Sequence, residues 1–178
     1  STGKVMTMAA ALEEKKITPT TVFSVPYSLK RSDATFHDHE RQPTQKLTAT
    51  GILAVSSNTG SIKIGETLSN DTLHDYLSKF GIGQKTGSGL PGESSGILHP
   101  VKSWSGTSAP TIAFGHGYSV TAMQATSVFA TIANDGVRVS PTVIAGTSDA
   151  SGNFTPAQSR TTEKVLSPET AAQLRLMM

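Results

Sequence analysis

The chain has 178 residues, with 15 Lys and Arg against 13 Asp and Glu, and therefore a formal charge of +2. So small a charge gives no basic surface for tracking phosphates, which argues against a nucleic-acid-binding protein. No apolar run is long enough to span a bilayer. The absence of cysteine excludes disulfides, cysteine-ligated zinc and thiol catalysis. Serine and threonine make up about a quarter of the chain, a composition that favours an exported protein.

Helical periodicity predicts most of the secondary structure. Residues 1–14 predict a helix with Ser1 as its N-cap or a first-turn residue, because apolar residues recur at helical spacing. Residues 17–48 are punctuated by proline and predict irregular structure with short β pieces. Further helices are predicted over 44–54, 58–68, 70–80 and 119–134, and from Ser167-Pro168 onward.

The second half of the chain begins with a glycine-rich stretch, 81–96, that predicts a loop of tight turns. Thr121 and Gln124 predict a capping box for the 119–134 helix. Short strands are predicted at 137–139 and 142–144, followed by a polar turn at 149–154. No linker divides the chain. The residues of the 119–134 helix expected to face the core are Ala122, Ala125, Phe129 and Ile132.

The first chemical motif is Ser1-Thr2-Gly3-Lys4. Positions i and i+3 share one face of a helix, so the Lys4 amine can reach the Ser1 hydroxyl. A serine hydroxyl becomes a good nucleophile when a base takes its proton, and a neutral lysine with a lowered pKa can do so. The alternative is an exposed serine cap beside an ordinary surface lysine.

The second motif is Ser56-Ser57-Asn58, which follows an apolar run. A turn at this position projects its first and third side chains into one cleft. Ser56 could then relay a proton, and Asn58 could hold a substrate amide. The alternative, a helix N-cap at Asn58, is compatible with that function. A further S-x-N at residues 151–153 lies in a polar turn and is set aside.

A third pattern, Lys85-Thr86-Gly87, matches the last element of the S-x-x-K, S-D-N and K-T-G signature of serine β-lactamases and penicillin-binding proteins. The third element of that signature must lie on a strand that lines the cleft. Lys85 instead lies in the glycine-rich loop, only 27 positions after Asn58. We therefore expect this K-T-G to lie away from the cleft and to have no catalytic role.

Taken together, these segments resemble the transpeptidase domain of a class B penicillin-binding protein, of the septal or elongation type of Gram-positive bacteria or actinobacteria. The resemblance runs along nearly all 178 residues. It implies an α+β transpeptidase fold shared with serine β-lactamases. The segments that carry it are Ser1–Lys4, Ser56–Asn58, the loop 80–93, residues 115–121 with Gln124, and residues 132–138.

The resemblance implies acyl transfer on the D-alanyl-D-alanine end of peptidoglycan stem peptides, without metal or cofactor. Ser1 would be the nucleophile, Lys4 the base, Ser56 the proton relay, and Asn58 the residue that orients Lys4 and the substrate amide. β-Lactams would acylate Ser1. The implied partners are stem peptides, β-lactams, membrane-bound cell-wall synthesis proteins and the rest of the same polypeptide, at the extracytoplasmic face of the membrane behind an N-terminal anchor.

The resemblance also implies that residues 1–178 are the mainly helical middle of the domain. Its central sheet and its catalytic Lys-Thr-Gly or Lys-Ser-Gly would then come from other parts of the polypeptide. We expect such a piece neither to fold nor to work alone. A serine β-lactamase, a D,D-carboxypeptidase and a non-catalytic β-lactam sensor or scaffold of the same fold remain as alternative functions.

Residues 37–40, His-Asp-His-Glu, invite a zinc interpretation, but a third ligand at useful spacing is missing. A surface hairpin is expected instead. The segment resembles a hairpin near the cleft in the family, which Asp38 or His39 would brace.

Overall fold

The computed structural model describes residues 2–157 and 160–178. The helices are α1 (Thr2–Glu13), α2 (Ala49–Ala54), α3 (Asn58–Gly65), α4 (Asn70–Lys79), α5 (Ser108–Ala113), α6 (Ala122–Ala133) and α7 (Pro168–Met177), with one 3₁₀ turn at Val101–Ser103. The strands are β1 (Val22–Val25), β2 (Ser28–Arg31), β3 (Ala34–His37), β4 (Gln45–Thr48), β5 (Val137–Val139), β6 (Gly146–Ser148), β7 (Phe154–Pro156) and β8 (Thr162–Lys164).

Helix α1 is the centre of the fold. It is buried continuously from Gly3 to Leu12, and it packs against α3, α4 and α7. Its run of methionine and alanine residues suits this position, since small and flexible apolar side chains let neighbouring helices approach closely on every side. A helix that is buried all round is held rigidly, and Lys4 lies in its first turns.

The strands form two-stranded antiparallel ladders within the part of the chain that the structure describes. β1 pairs with β4, β2 with β3, β5 with β8, and β6 with β7. The observed architecture is therefore mainly helical with short strands, which confirms the predicted α+β class. Ladders of two strands are marginal by themselves and depend on packing against other elements.

Local capping signals place several helix starts as predicted. The hydroxyl of Ser69 accepts a hydrogen bond from the Thr72 backbone N–H at the start of α4. The capping box between Thr121 and Gln124 is present at the start of α6. Ser167 caps α7 and has a proline directly after it. The helices predicted over 1–14, 58–68, 70–80 and 119–134 and from Ser167 onward are confirmed, with ends that differ by a few residues; the position predicted for Ser1 lies outside the described residues.

Three predictions of detail were wrong. The helix expected over 44–54 begins at Ala49, because residues 45–48 pair with β1 as strand β4. The strand expected at 142–144 is absent, and the next strand starts at Gly146. On α6, Ala122 and Phe129 are exposed; the buried positions are Gln124, Val128, Thr131 and Ile132. The inward face is thus partly polar. Gln124 donates to the Gln84 carbonyl, and Thr131 donates to the Ser127 carbonyl.

Candidate active site

The predicted base, Lys4, is buried in the first turns of α1 with 6% of its surface exposed. Its Nζ atom donates to the Ser56 hydroxyl at 2.9 Å and to the Ser56 carbonyl oxygen at 2.5 Å. Burial lowers the pKa of Lys4 below its usual range, and the negative charge of Asp38 partly opposes that effect. The amine is therefore easier to deprotonate than a surface lysine.

The predicted nucleophile, Ser1, lies outside the described residues. The helix is described from Thr2 onward, so the structure brings together two of the four predicted site residues, Lys4 and Ser56. Their roles stay predictions.

Ser56 lies between α2 and α3 in a left-handed conformation, with a φ of +55°. A serine held in this region costs about 1–2 kcal/mol relative to ordinary backbone, so its surroundings must stabilise it. The two bonds from Lys4 do so on one side. On the other side, Ser57 caps α3 by accepting from the Gly60 N–H at 2.9 Å.

Asn58 is the first residue of α3 and is half-buried. Its side-chain amide donates to the His37 carbonyl oxygen at 2.9 Å. Among the described residues, its hydrogen bonds lead to the hairpin formed by β2 and β3, and none leads to Lys4. The hairpin therefore fixes the orientation of this amide.

Asp38 connects that hairpin to the site. It follows β3, is 8% exposed, and accepts from the backbone N–H groups of Asn58 at 2.6 Å and Thr59 at 2.9 Å. Its second oxygen accepts from the Ser57 hydroxyl at 2.8 Å. The sequence identified Asp38 only as a brace implied by resemblance; its contacts depend on pairing across about 20 residues, which local patterns do not encode.

An open cleft of about 300 Å³ adjoins Ser56. Its walls come from the hairpin side and from the end of α2, and Ser56 is an exposed residue of its lining. The lining residues are Asp38, His39, Glu40, Gln42, Val55, Ser56 and Ser57. No group of three metal-ligating side chains is found in residues 2–157 and 160–178.

The K-T-G of the glycine-rich loop contributes no residue to this cleft. Lys85 is exposed, and Thr86 donates from its backbone N–H, at 2.6 Å, and from its hydroxyl to the Glu93 carboxylate. The hydroxyl of Thr86 first, and backbone N–H groups after it, lower the pKa of Glu93. The motif builds a turn that binds a carboxylate of its own loop, as expected for a structural K-T-G.

A contact that the sequence did not predict lies beside the S-x-x-K motif. Gly3 packs against the backbone of Gly115, which follows α5 and has a φ of +101°. A Cβ atom on Gly3 would lie 2.1 Å from the Gly115 Cα and 2.5 Å from the Tyr118 hydroxyl. Burial raises the pKa of Tyr118 to about 12, so this hydroxyl stays protonated. The glycines of the two segments are what allow this close approach.

Comparison with known proteins agrees with this geometry. The family described as the penicillin binding protein transpeptidase domain matches residues 1–178, and the chain belongs to that family. It is 39% identical over 177 residues to penicillin-binding protein PbpB of Mycolicibacterium smegmatis, covering 99% of this chain and 27% of that protein. It is 34% identical over 141 residues to peptidoglycan D,D-transpeptidase FtsI of Escherichia coli, covering 77% of this chain and 23% of FtsI.

Solved structures show the same fold. Penicillin binding protein 3 of Mycobacterium tuberculosis, crystallised with aztreonam and with ampicillin, superposes with a TM-score of 0.96 at 36% identity. The match to the aztreonam complex covers 99% of this chain and 40% of the mycobacterial chain. The chain thus resembles class B proteins of actinobacterial type, as the sequence predicted. It spans about a quarter of the length of the mycobacterial relatives. In the described part of the chain, no helix has the length and apolar character needed to cross a membrane.

Proposed function

We propose that this chain is part of a serine D,D-transpeptidase that cross-links peptidoglycan stem peptides and is acylated by β-lactams. The observation that carries the proposal is the hydrogen bond from the buried Lys4 Nζ to the Ser56 hydroxyl. It joins the two short motifs across 52 positions of sequence, beside a cleft. A relative named D,D-transpeptidase and structural neighbours crystallised with β-lactams support the same function.

In the proposed reaction, the neutral Lys4 amine accepts the proton of the Ser1 hydroxyl while Ser1 Oγ bonds to the penultimate D-Ala carbonyl carbon. The negative charge on the carbonyl oxygen is stabilised in part by the Ser1 backbone N–H, and one such donor is worth about 3 kcal/mol. The bond to the terminal D-Ala then breaks, and its nitrogen receives the proton through Lys4 and Ser56. An amine of a neighbouring stem then bonds to the acyl-enzyme carbonyl carbon and gives its proton to Lys4. The bond to Ser1 Oγ breaks, and Ser1 Oγ takes that proton back.

Asn58 is proposed to bind an amide of the substrate. The bond to the His37 carbonyl holds the Asn58 side-chain amide in one orientation. The second N–H and the carbonyl oxygen of that side chain can then bind the N–H and C=O groups of a peptide. A fixed amide loses little entropy on binding substrate.

We further propose that residues 1–178 are one portion of a larger transpeptidase domain, supported by the 40% share of the mycobacterial structure that they match. In that setting the domain lies on the extracytoplasmic side of an anchored protein and meets other cell-wall synthesis proteins there.

The test is labelled penicillin added to the full-length protein that contains this chain, with the adduct located by mass spectrometry. An adduct on Ser1 is expected, and Ser1→Ala is expected to lose it. Lys4→Ala should slow acylation by at least roughly a thousandfold, because the base is removed. Lys85→Ala is the matched control, and it should acylate at the wild-type rate.

Absence of an adduct on Ser1 would contradict the proposal and favour a non-catalytic scaffold. Rapid turnover of the adduct would favour a β-lactamase. Release of terminal D-Ala without transfer to an acceptor amine would favour a carboxypeptidase. A strong loss of acylation in Lys85→Ala would overturn the structural role assigned to the K-T-G loop.

A further inference from the structure

Asp38 is a buried carboxylate that the proposed reaction does not use. It is 8% exposed, although it lies directly after a short surface strand. A buried carboxylate is costly unless hydrogen bonds stabilise it, so the partners of Asp38 indicate its role. Nearly all of them belong to the segment that follows Ser56.

The carboxylate closes the first turn of α3 from outside the helix. Oδ1 accepts from the N–H groups of Asn58 and Thr59 at 2.6 and 2.9 Å. Oδ2 accepts from the Ser57 hydroxyl at 2.8 Å, and that same hydroxyl oxygen accepts from the Gly60 N–H. A negative charge at these free N–H groups is favourable, because they carry the positive end of the helix dipole. Asp38 and Ser57 together therefore fix residues 57–60.

Fixing those residues constrains Ser56, which precedes them. Its left-handed φ of +55° has to be maintained from both sides. Lys4 binds its carbonyl and hydroxyl oxygens from one side, and Asp38 immobilises the next three residues from the other. The hairpin holds Asp38 itself, since the Asp38 N–H donates to the Tyr27 carbonyl at 3.0 Å.

We propose that Asp38 is a positioning residue for acyl transfer. It holds the Ser56 turn in its left-handed form against Lys4, and its buried carboxylate binds the residues directly after Ser56, the residue that Lys4 contacts. The inference rests on the proposed function of Ser1, Lys4 and Ser56. It predicts two separable consequences, because the hydrogen bonds act on the geometry of Ser56 and the charge acts on the protonation of Lys4.

The charge has a defined sign of effect. The negative charge of Asp38 raises the pKa of Lys4, against the larger lowering by burial. Acylation needs neutral Lys4, so its rate falls as the pH drops through that pKa. This fall is the acidic limb of the plot of acylation rate against pH. Removing the charge favours the neutral amine and therefore moves the acidic limb to lower pH.

Other ionisable groups near the start of α1 could move the same limb. Helices α2 and α5 contain no ionisable side chain, and α3 carries only Lys63 in its last turn. The remaining candidates lie on the hairpin side of the cleft and on the segment after α5. They are His37, His39, Glu40, His116 and Tyr118. Because His39 lines the cleft next to Asp38, the test includes a His39→Gln background.

The experiment measures the second-order rate of acylation by labelled penicillin between pH 5 and 9 in the full-length protein. Asp38→Asn removes the charge and weakens the bonds, whereas Ser57→Ala removes a partner of Asp38 and keeps the charge. Both variants should lower the plateau rate roughly 10- to 100-fold, since small misplacements of reacting groups have effects of that size. Only Asp38→Asn should move the acidic limb to lower pH, and it should do so in the His39→Gln background as well. Asp33→Asn, an exposed aspartate in the β2–β3 turn, is the matched control and should change neither quantity.

A plateau rate unchanged in Asp38→Asn or in Ser57→Ala would overturn the proposal. So would an acidic limb that stays in place in Asp38→Asn, since Asp38 would then be only a structural brace. Should Asp38→Asn fail to fold, as judged by its thermal unfolding and penicillin-binding capacity, the plateau rate of Ser57→Ala still decides the positioning claim. If wild-type protein forms no adduct on Ser1, the proposed function itself fails, and this result is distinct from either outcome for Asp38.

Discussion

At the scale of single residues, the site depends on one buried lysine and one strained serine. A buried amine without hydrogen-bond partners is costly, and the Lys4 amine donates two hydrogen bonds to Ser56. Those bonds also hold Ser56 in its left-handed backbone conformation. Ser56 therefore stabilises the buried amine of Lys4, and Lys4 stabilises the strained backbone of Ser56. This mutual dependence predicts that changes at either position affect both acylation and local order.

Gly3 is predicted to be essential for placing the S-x-x-K motif. Gly3→Ala would put a methyl group 2.1 Å from the Gly115 Cα, which only a shift of backbone can relieve. We expect a loss of stability of about 1–3 kcal/mol, as for other overpacked positions, and acylation at least tenfold slower. Thermal unfolding and penicillin labelling of the full-length protein measure both.

The matched control for that prediction is Gly51→Ala. This glycine also lies in a helix, and its new methyl group would come no closer than 3.3 Å to the Thr48 hydroxyl. Wild-type acylation in Gly3→Ala would show that the contact with the segment after α5 is not needed at the site.

The sequence predicted the chemistry of these residues better than their contacts. The i, i+3 spacing of Ser1 and Lys4 is local, and a turn at Ser56 follows from the end of an apolar run. The dependence of that turn on Asp38 and the packing of Gly115 on Gly3 join segments far apart in the chain. Single-sequence patterns carry no signal for such contacts.

At the scale of elements, Gln124 links α6 to the glycine-rich loop. It is fully buried, accepts from the Thr121 N–H, and donates to the carbonyl oxygens of Gly81, Gln84 and Ser95. A side chain first identified as half of a capping box therefore also holds both ends of the loop.

Gln124→Leu is predicted to destabilise the protein by about 2–4 kcal/mol, because it leaves the buried Gly81 carbonyl and two partly buried bonds, to Gln84 and Ser95, without their donor. Denaturant unfolding of the full-length protein measures the loss. Gln84→Leu, which removes one exposed bond to the Ser78 carbonyl, should cost less than about 0.5 kcal/mol. Equal losses in the two variants would contradict this role for Gln124.

Glu13, at the end of α1, binds Ser167, the N-cap residue of α7. Its carboxylate accepts from the Ser167 N–H at 3.0 Å and from the Ser167 hydroxyl at 2.9 Å. Burial raises its pKa, but hydrogen bonds from Thr170 and Ser167 and the charge of Lys164 outweigh it, so the pKa is lowered overall. The stabilisation is therefore present above the pKa of an unfolded glutamate and is lost as the pH falls through the folded value.

Glu13→Gln should accordingly lower stability by about 1 kcal/mol at pH 7, and its difference from wild type should shrink as the pH falls below 4.5. Thermal unfolding of the full-length protein at several pH values measures this trend. Glu169→Gln, an exposed change in the first turn of α7, is the control. A difference that grows at low pH would contradict the sign.

The elements themselves were predictable where their signals are local. α4 has a serine cap, an apolar stripe and Gly81 after its end, and it forms as predicted. Residues 45–48 read as helix because their pairing with β1 is non-local. The inward face of α6 was misjudged because two of its buried residues are polar. The carbonyl partners of Gln124 lie in the distant glycine-rich loop, and Thr131 donates to the Ser127 carbonyl within the helix.

At the scale of the whole molecule, packing depends on a central helix and on short ladders. Large apolar side chains remain exposed around β6 and β7 and beside the cleft, at Val143, Ile144, Phe154 and Val55. Exposed apolar surface of this kind is typical of faces that other structure covers. It agrees with the proposal that residues 1–178 are one portion of a domain.

Residues 1–178 expressed alone are predicted to bind a hydrophobic dye, to unfold without a sharp transition, and to form no penicillin adduct. The full-length protein should bind little dye, unfold in a sharp transition and form the penicillin adduct. Dye fluorescence, calorimetry and penicillin labelling of the two proteins make the comparison. A cooperative transition and normal acylation in the short chain would show that it is a self-sufficient domain.

The most direct test of the central claim is a crystal structure of the full-length protein after reaction with ampicillin. The account predicts a covalent bond from Ser1 Oγ to the opened lactam carbonyl, with Lys4 Nζ still within hydrogen-bonding distance of the Ser56 hydroxyl. A covalent bond at any other residue, or a Lys4 amine far from both serines, would contradict it.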